Sequence, residues 1–145
     1  MQPTDTTKPA RSFWVMGALA LIWNAIGIVT FLMTVTMSPE ALADLPEAER
    51  ALYTDTPAWS IGMYAIAVFG GTLAAIVLLL RKAWAVPLFA ISLVAIIVQM
   101  GYALFMTPLL EVRGATAAIM PLVIVAVAVY LLWYARTARE KGWLG

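Results

Sequence analysis

Four long stretches of this sequence contain no Asp, Glu, Lys or Arg, and they limit the chain to few folds. They cover residues 13–39, 56–80, 83–110 and 114–135. Each exceeds the roughly 20 apolar residues that a helix needs to cross the hydrocarbon core of a bilayer. Helices packed inside a soluble domain would show polar outer faces, and none of these stretches has one. The sequence therefore predicts a polytopic membrane protein.

The predicted fold is all-α, an antiparallel bundle of four transmembrane helices within a single membrane domain, 1–145. Only 12% of the residues are charged, about half the usual share in a soluble domain. The chain divides into four spans, an outer loop and two tails. The spans are predicted at about 13–37, 59–80, 83–105 and 115–134, the outer loop at 38–58, and the tails at 1–12 and 135–145.

The outer loop is predicted to form one or two short amphipathic helices. Ser38 is a favourable N-cap residue, and Pro39 follows it at the first helical position, where a missing N–H costs little. Pro46 is expected to break the loop into two helices. Thr56 is also followed by a proline, which predicts a similar start for the second span. Proline at residue 121 predicts a bend in the fourth span.

The basic residues predict the orientation of the chain. Of the nine Lys and Arg residues, only Arg50 and Arg113 lie in the loops between spans one and two and between spans three and four. The positive-inside rule therefore places both termini in the cytoplasm. The other seven flank the spans on the predicted cytoplasmic side: Lys8, Arg11, Arg81, Lys82, Arg136, Arg139 and Lys141.

Small and polar residues recur every three or four positions along the first three spans, which places them on one face of each helix. Because lipid tails supply no hydrophobic contrast, helices in a bilayer associate through close backbone approach and polar contacts. Glycines on these faces are predicted to serve helix packing: Gly17, Gly27, Gly70 and Gly71.

Asn24 and Gln99 are the strongly polar side chains deep inside the predicted spans. Their amides could line a polar path for a solute, with Tyr64, Tyr102 and Ser92 beside them. They could also bond each other, or Ser and Thr hydroxyls, across neighbouring helices, which contributes about 0.6–2 kcal/mol. Both interpretations stay open at this point.

The residues that the chain lacks exclude several classes of function. It has no Cys and no His, so no Ser–His or Cys–His nucleophile and no histidine metal ligand is available. The spans contain no ionisable group of the kind that proton relays and voltage sensors use. We therefore expect no enzyme activity, no cofactor and no metal, and no nucleic-acid partner. The acids Glu40, Asp44 and Glu47 are interpreted as a solvated outer face.

The chain resembles a group of small four-span inner-membrane proteins of proteobacteria that are commonly labelled sugar transporters. The resemblance covers nearly the whole chain and rests on these motifs: Trp23-Asn24-x-x-Gly27, Ser38-Pro39-Glu40, Phe69-Gly70-Gly71, Arg81-Lys82-Ala83-Trp84-Ala85 and Ser92-Leu93. It implies a multi-pass protein of the bacterial inner membrane that takes part in sugar transport.

Two functional hypotheses follow. The first is a component for the transport of a small neutral, sugar-like solute. Because four helices enclose little space, this hypothesis predicts a homo-oligomer with the site at or between protomers. The second is a non-transporting accessory or scaffold subunit of a larger membrane complex.

Overall fold

The computed structural model describes residues 8–145 and consists of helices and their connections over that range. The seven α-helices are α1 (Arg11–Val35), α2 (Pro39–Ala43), α3 (Glu47–Thr54), α4 (Ala58–Leu79), α5 (Ala85–Phe105), α6 (Leu109–Arg113) and α7 (Ile119–Glu140). A 3₁₀ turn, Ala115–Ala118, precedes α7. The polar tail predicted at 1–12 lies mostly outside the described residues.

Four helices in residues 8–145 are long and apolar enough to cross a membrane: α1, α4, α5, and α7 together with its 3₁₀ turn. Large apolar side chains such as Val15, Ile97 and Leu122 are exposed along them. Exposed side chains of this kind suit a lipid environment and would be unfavourable in water. The predicted all-helical fold of a multi-pass membrane protein is therefore confirmed at this level.

The long helices pack in the order α1, α4, α5 and α7, with the most extensive contact between α4 and α5. Only residues 80–84 connect α4 to α5. Between α1 and α7 lies an apolar groove of about 330 Å³. Its walls are formed by Met16, Leu19, Ala20, Ile22, Trp23, Ile26, Val127, Tyr130 and Leu131.

The two short helices between α1 and α4 begin much as the sequence predicts. Ser38 accepts a hydrogen bond from the Ala41 N–H (3.1 Å) at the start of α2, and α3 begins after Pro46. The prediction that Thr56 caps the second span is wrong, because no side chain caps the start of α4. The Thr56 hydroxyl instead donates to the Leu52 carbonyl (2.6 Å).

Arg50 fastens α2 to α3. Its Nε donates to the Leu42 carbonyl (3.0 Å), and its Nη2 donates to the Ala43 (3.2 Å) and Leu45 (2.9 Å) carbonyls. The last carbonyls of a helix lack intrahelical donors, and a cationic side chain satisfies them well. A five-residue helix with little intrinsic stability is thereby held in place.

The last long helix differs from the prediction at both ends. It begins as a 3₁₀ turn, and Pro121 lies in the first turn of α7, where its missing N–H would be unpaired in any case. The bend predicted at Pro121 in the fourth span stays a prediction. At the other end α7 continues to Glu140, well beyond residue 134.

Helix α7 ends in a Schellman motif. The Gly142 N–H donates to the Arg139 carbonyl (3.0 Å), and the Trp143 N–H donates to the Ala138 carbonyl (3.0 Å). Gly142 has φ of +78°, a left-handed conformation that only glycine adopts without strain.

Residues 141–145, which we call the C-terminal hook, turn back onto the connection between α4 and α5. The Gly145 N–H donates to the Arg81 carbonyl (2.8 Å), and the Ala83 N–H donates to the Gly145 carbonyl (2.9 Å). Arg81 Nε donates to the Trp143 carbonyl (2.9 Å). Arg81 itself has φ of +60°, so these bonds stabilise a conformation that costs a non-glycine residue about 1–2 kcal/mol.

The hook closes the main hydrophobic core. Leu144 is buried there among Phe13, Leu78, Phe89 and Leu131, which come from all four long helices. The Trp143 ring lies edge-on to Phe13, with centroids 5.8 Å apart. The folded end of the chain therefore connects α1, α7 and the α4–α5 connection.

We expect Gly142→Ala to lower the free energy of unfolding by about 1–2 kcal/mol, because alanine is strained at this positive φ. Thermal unfolding in detergent, followed by circular dichroism, measures the effect. Gly101→Ala is the matched control, since a methyl group at Gly101 in α5 meets no atom within 4 Å. Equal melting temperatures for the two variants would contradict the role given to Gly142.

Candidate functional site

One end of the bundle holds a cavity of about 450 Å³, which we call the vestibule. Every helix except α7 contributes to its lining, and α2, α3 and α6 cover it. Its apolar side includes Val35, Leu52 and Ile61, whereas its polar residues are Thr34, Ser60, Tyr64, Gln99, Tyr102 and Arg113, with further hydroxyls from α3 and the loops. This volume lies within the range of small-molecule sites.

Three of the five predicted polar residues, Tyr64, Gln99 and Tyr102, line the vestibule. They come from two helices, α4 and α5, at the end of the bundle that α2, α3 and α6 cover. Asn24 and Ser92 are not among the lining residues. The structure therefore separates the two deep amides, and the interpretation in which Asn24 and Gln99 bond each other is not what the fold adopts.

Aromatic contacts position the two tyrosines. The Tyr64 ring lies edge-on to Phe31 of α1, with centroids 5.0 Å apart. The Tyr102 ring lies edge-on to Trp59 of α4, with centroids 4.8 Å apart. Edge-to-face pairs of this kind restrict ring orientation and add about 0.5–1.5 kcal/mol. The rings of Tyr64 and Tyr102 in the vestibule are therefore held in place by Phe31 and Trp59.

An ion pair stands at the rim of the vestibule. Arg113 Nη2 lies 2.9 Å from Glu49 Oε2, and Arg113 Nε contacts both carboxylate oxygens, at 3.2 and 3.1 Å. The Tyr53 hydroxyl lies 3.5 Å from Arg113 Nη2. The pair joins α6 to α3, two of the helices that cover the cavity.

The same pair sets the charge of the vestibule. Among the described residues that line it, Arg113 alone is charged. The hydrogen bonds to the Glu49 carboxylate raise the pKa of Arg113 above its ordinary value, so the guanidinium stays protonated throughout the physiological range. Because Glu49 neutralises this charge, the cavity combines a polar lining with no unpaired ion.

Asn24 and Ser92 lie at helix interfaces. Asn24 Nδ2 donates to the Ala20 carbonyl of its own helix (2.8 Å). A methyl group at Gly71 of α4 would overlap Asn24 Oδ1 and would come within 3.2 Å of Ser92 Oγ. Ser92 is 4% exposed and donates to the Ala67 carbonyl across the α4–α5 interface (2.7 Å).

The other predicted packing glycines also face neighbouring helices. A methyl group at Gly17 would overlap the Leu79 side chain, and one at Gly27 would come within 3.2 Å of Val68 Cγ1. Gly70 is less crowded, because its nearest such neighbour is Ser92 Cβ at 3.8 Å. Glycine at 17, 27 and 71 therefore permits α1 and α4 to approach closely.

The described lining residues of the vestibule offer hydrogen bonds and apolar contacts to a ligand. Its amide, hydroxyls and phenols donate and accept hydrogen bonds in their neutral forms. Its aromatic faces offer apolar contact to the C–H surfaces of a ligand. This combination suits an uncharged small molecule with several hydroxyl groups.

Seven polar lining residues were not predicted from the sequence, among them Thr34, Ser60 and Arg113. Thr34 and Ser60 lie on the regular small-residue faces of spans one and two, but nothing in the periodicity distinguishes them from packing positions. Arg113 carried a signal, because it is one of two basic residues that do not follow the positive-inside distribution. The other exception, Arg50, also has a defined structural role.

Comparison of the chain with protein families, with curated proteins and with solved structures finds no match. The resemblance to small inner-membrane sugar transporters therefore stays a prediction.

We expect Gly71→Ala to destabilise the bundle by about 1–3 kcal/mol, because the added methyl group forces Asn24 away from α4. Asn24→Ala in the same chain should recover part of the loss, which a double-mutant cycle on unfolding in detergent measures. Gly62→Ala is the control, since a methyl group there meets no atom within 4 Å. Additive effects of the two substitutions would show that the residues do not interact.

Proposed function

We propose that this chain is a multi-pass protein of the bacterial inner membrane and a component for the transport of a small neutral, sugar-like solute. It acts without enzyme chemistry, and the vestibule is its solute-binding site. The observation that carries the proposal is the convergence of Tyr64, Gln99 and Tyr102 on one cavity, in which Arg113, the one charged residue among the described lining residues, is already paired.

Each polar side chain of the vestibule contributes to binding. The Gln99 amide offers two donors and an acceptor, a set that matches vicinal hydroxyl groups. The Ser60 and Thr34 hydroxyls extend this polar surface on α4 and α1. The rings of Tyr64 and Tyr102 would contact the apolar face of a sugar ring. Such a site selects by hydrogen-bond pattern and shape rather than by charge.

Transport requires more than the vestibule, because the opposite end of the bundle is packed. The core there contains Phe13, Leu78 and Leu144, and Asn24 lies against Gly71 between this core and the vestibule. The proposal therefore includes a rearrangement of the helices between two states. It also includes a homo-oligomer, because four helices enclose little space.

The proposed topology is antiparallel, with both termini in the cytoplasm and the vestibule at the outer surface. Facing pairs on α1 and α4 support it, because the residue number rises on one helix as it falls on the other: Gly17 with Leu79, Gly27 with Val68, and Phe31 with Tyr64. The distribution of basic residues supports the orientation. On this topology residues 38–57 lie outside.

The alternative is an accessory or scaffold subunit that does not transport. The feature that favours it is the groove between α1 and α7, which is lined mainly by large apolar residues including Trp23 and Tyr130. Purification in a gentle detergent distinguishes the two functions. A stoichiometric second membrane protein supports the accessory role, and self-association alone supports the transport proposal.

We expect vesicles that contain the purified protein to take up at least one neutral sugar from a labelled panel. Gln99→Leu should lower that uptake about tenfold or more, because a site that hydrogen-bonds a hydroxyl loses much of its affinity when one partner is removed. Initial rates of uptake against concentration measure the change.

Thr72→Val is the matched control for this experiment. Thr72 belongs to α4, but its hydroxyl donates to the Val68 carbonyl of the same helix, so its loss should leave uptake unchanged. Absence of flux for every sugar in the panel would reject the transport proposal.

The topology predicts which introduced cysteines an impermeant maleimide can label in intact spheroplasts. The chain has no natural cysteine. We expect Ala41→Cys in α2 to be labelled and Ala10→Cys at the start of α1 to be protected until the membrane is permeabilised. The reverse pattern would invert the proposed orientation.

A further inference from the structure

We infer that Glu49 is a specificity-determining residue of the vestibule: by pairing with Arg113 it keeps the cavity neutral and excludes anionic solutes. A neutral hexose would then be accepted and the corresponding hexuronate rejected. The inference rests on the proposed function for the identity of the solute. The effect of Glu49 on the electrostatic potential of the vestibule can be tested without measuring transport.

The geometry assigns the two residues different parts. Arg113 lines the cavity, whereas Glu49 does not. Glu49 meets the guanidinium along its Nε and Nη2 edge, and the contact with two carboxylate oxygens holds it there. A bidentate contact of this kind occupies the same donors that would otherwise bind the carboxylate of a solute. Glu49 therefore competes directly with an anionic ligand.

The surrounding charges do not replace Glu49 in this role. Arg50, the neighbouring residue of α3, is directed to the carbonyls of Leu42, Ala43 and Leu45. Glu111 on α6 is exposed and does not line the cavity. Loss of the Glu49 charge should therefore leave the Arg113 guanidinium at the rim without its carboxylate partner.

The pair is only partly solvated, with side-chain exposures of 40% for Arg113 and 27% for Glu49. Its contribution to stability is accordingly small. The pair affects the electrostatic potential in the vestibule more strongly than it affects stability, because low-dielectric walls focus the field of an unpaired charge. The pair therefore affects which solute enters the vestibule more than it affects the folding of the covering helices α2, α3 and α6.

The test uses a single cysteine in the vestibule, Ala103→Cys, on the wall formed by α5. Its reaction rates with two methanethiosulfonate reagents of similar size, one carrying a sulfonate and one a trimethylammonium group, report the local potential. The measured quantity is the ratio of the anionic rate to the cationic rate. Using a ratio cancels any general change in access.

We expect Glu49→Gln to raise this ratio about three- to tenfold, because one unpaired positive charge attracts the anionic reagent and repels the cationic one in a partly aqueous medium. Arg113→Gln should lower the ratio, because it leaves the Glu49 carboxylate unpaired. The double variant Glu49→Gln/Arg113→Gln should return close to the starting ratio. The control is Ala10→Cys at the opposite end of α1 from Thr34, and its ratio should not change. All rates are measured on the protein in detergent, where both reagents reach both ends of the bundle.

Two outcomes would overturn the inference. If the rate ratio is unchanged in Glu49→Gln, even with both rates raised, the ion pair only holds the covering helices together and does not set the electrostatic potential of the vestibule. If Glu49→Gln fails to fold, Arg113→Gln decides, and an unchanged ratio there has the same consequence.

The final arm separates this inference from the proposed function. Vesicles with the Glu49→Gln protein are assayed for uptake of a hexuronate beside the neutral hexose, with an expected gain of about two- to fivefold for the hexuronate. Lack of uptake of every neutral sugar in the panel by the unmodified protein rejects the transport proposal but leaves the reagent ratio to judge Glu49. Hexose uptake with no ratio change rejects the role of Glu49 and leaves transport standing.

Discussion

The close contact of α4 with its neighbours is the interaction on which the rest of the structure depends. Lipid provides no hydrophobic force between helices, so their association rests on close packing and on a few polar contacts. Gly71 lets Asn24 lie against α4 on one side, and Ser92 bonds the Ala67 carbonyl on the other. Helix α4 consequently joins α1 to α5, and α7 joins the assembly through α5.

The two ends of this packed core differ, and the difference creates the site. At one end the C-terminal hook places Leu144 into the core beside Phe13 and Leu78. At the other end the long helices enclose a cavity that α2, α3 and α6 cover. The covering helices are too short to be stable alone. The contacts of Arg50 and Arg113 hold them in position.

These ends also show how irregular backbone is satisfied in a membrane protein. Every N–H and C=O removed from water needs a partner. The carbonyls at the end of α2 receive it from Arg50, and the connection between α4 and α5 receives it from Gly145. Long-range hydrogen bonds therefore replace the local ones that a regular helix would supply. They stabilise the irregular segments at both ends of the bundle.

The sequence by itself determined the number of long helices, because a charged residue inside a span is costly and its absence marks each span clearly. It also determined local features such as the Ser38 cap, since the residues involved are neighbours in the chain. It did not distinguish Asn24 from Gln99, because both are amides on similar helical faces. Tertiary structure decided that one packs against Gly71 and the other lines the vestibule.

Tertiary structure likewise decided the partner of Arg113. Glu49 precedes it by 64 residues, and no local periodicity connects positions so far apart. The C-terminal hook is a similar case, since Gly145 bonds Arg81 only after α7 has packed against α5. Local preference and the energetic cost of burying charge act residue by residue and can be read from a sequence. Contacts between distant residues depend on the packing of whole helices, which only the folded chain defines.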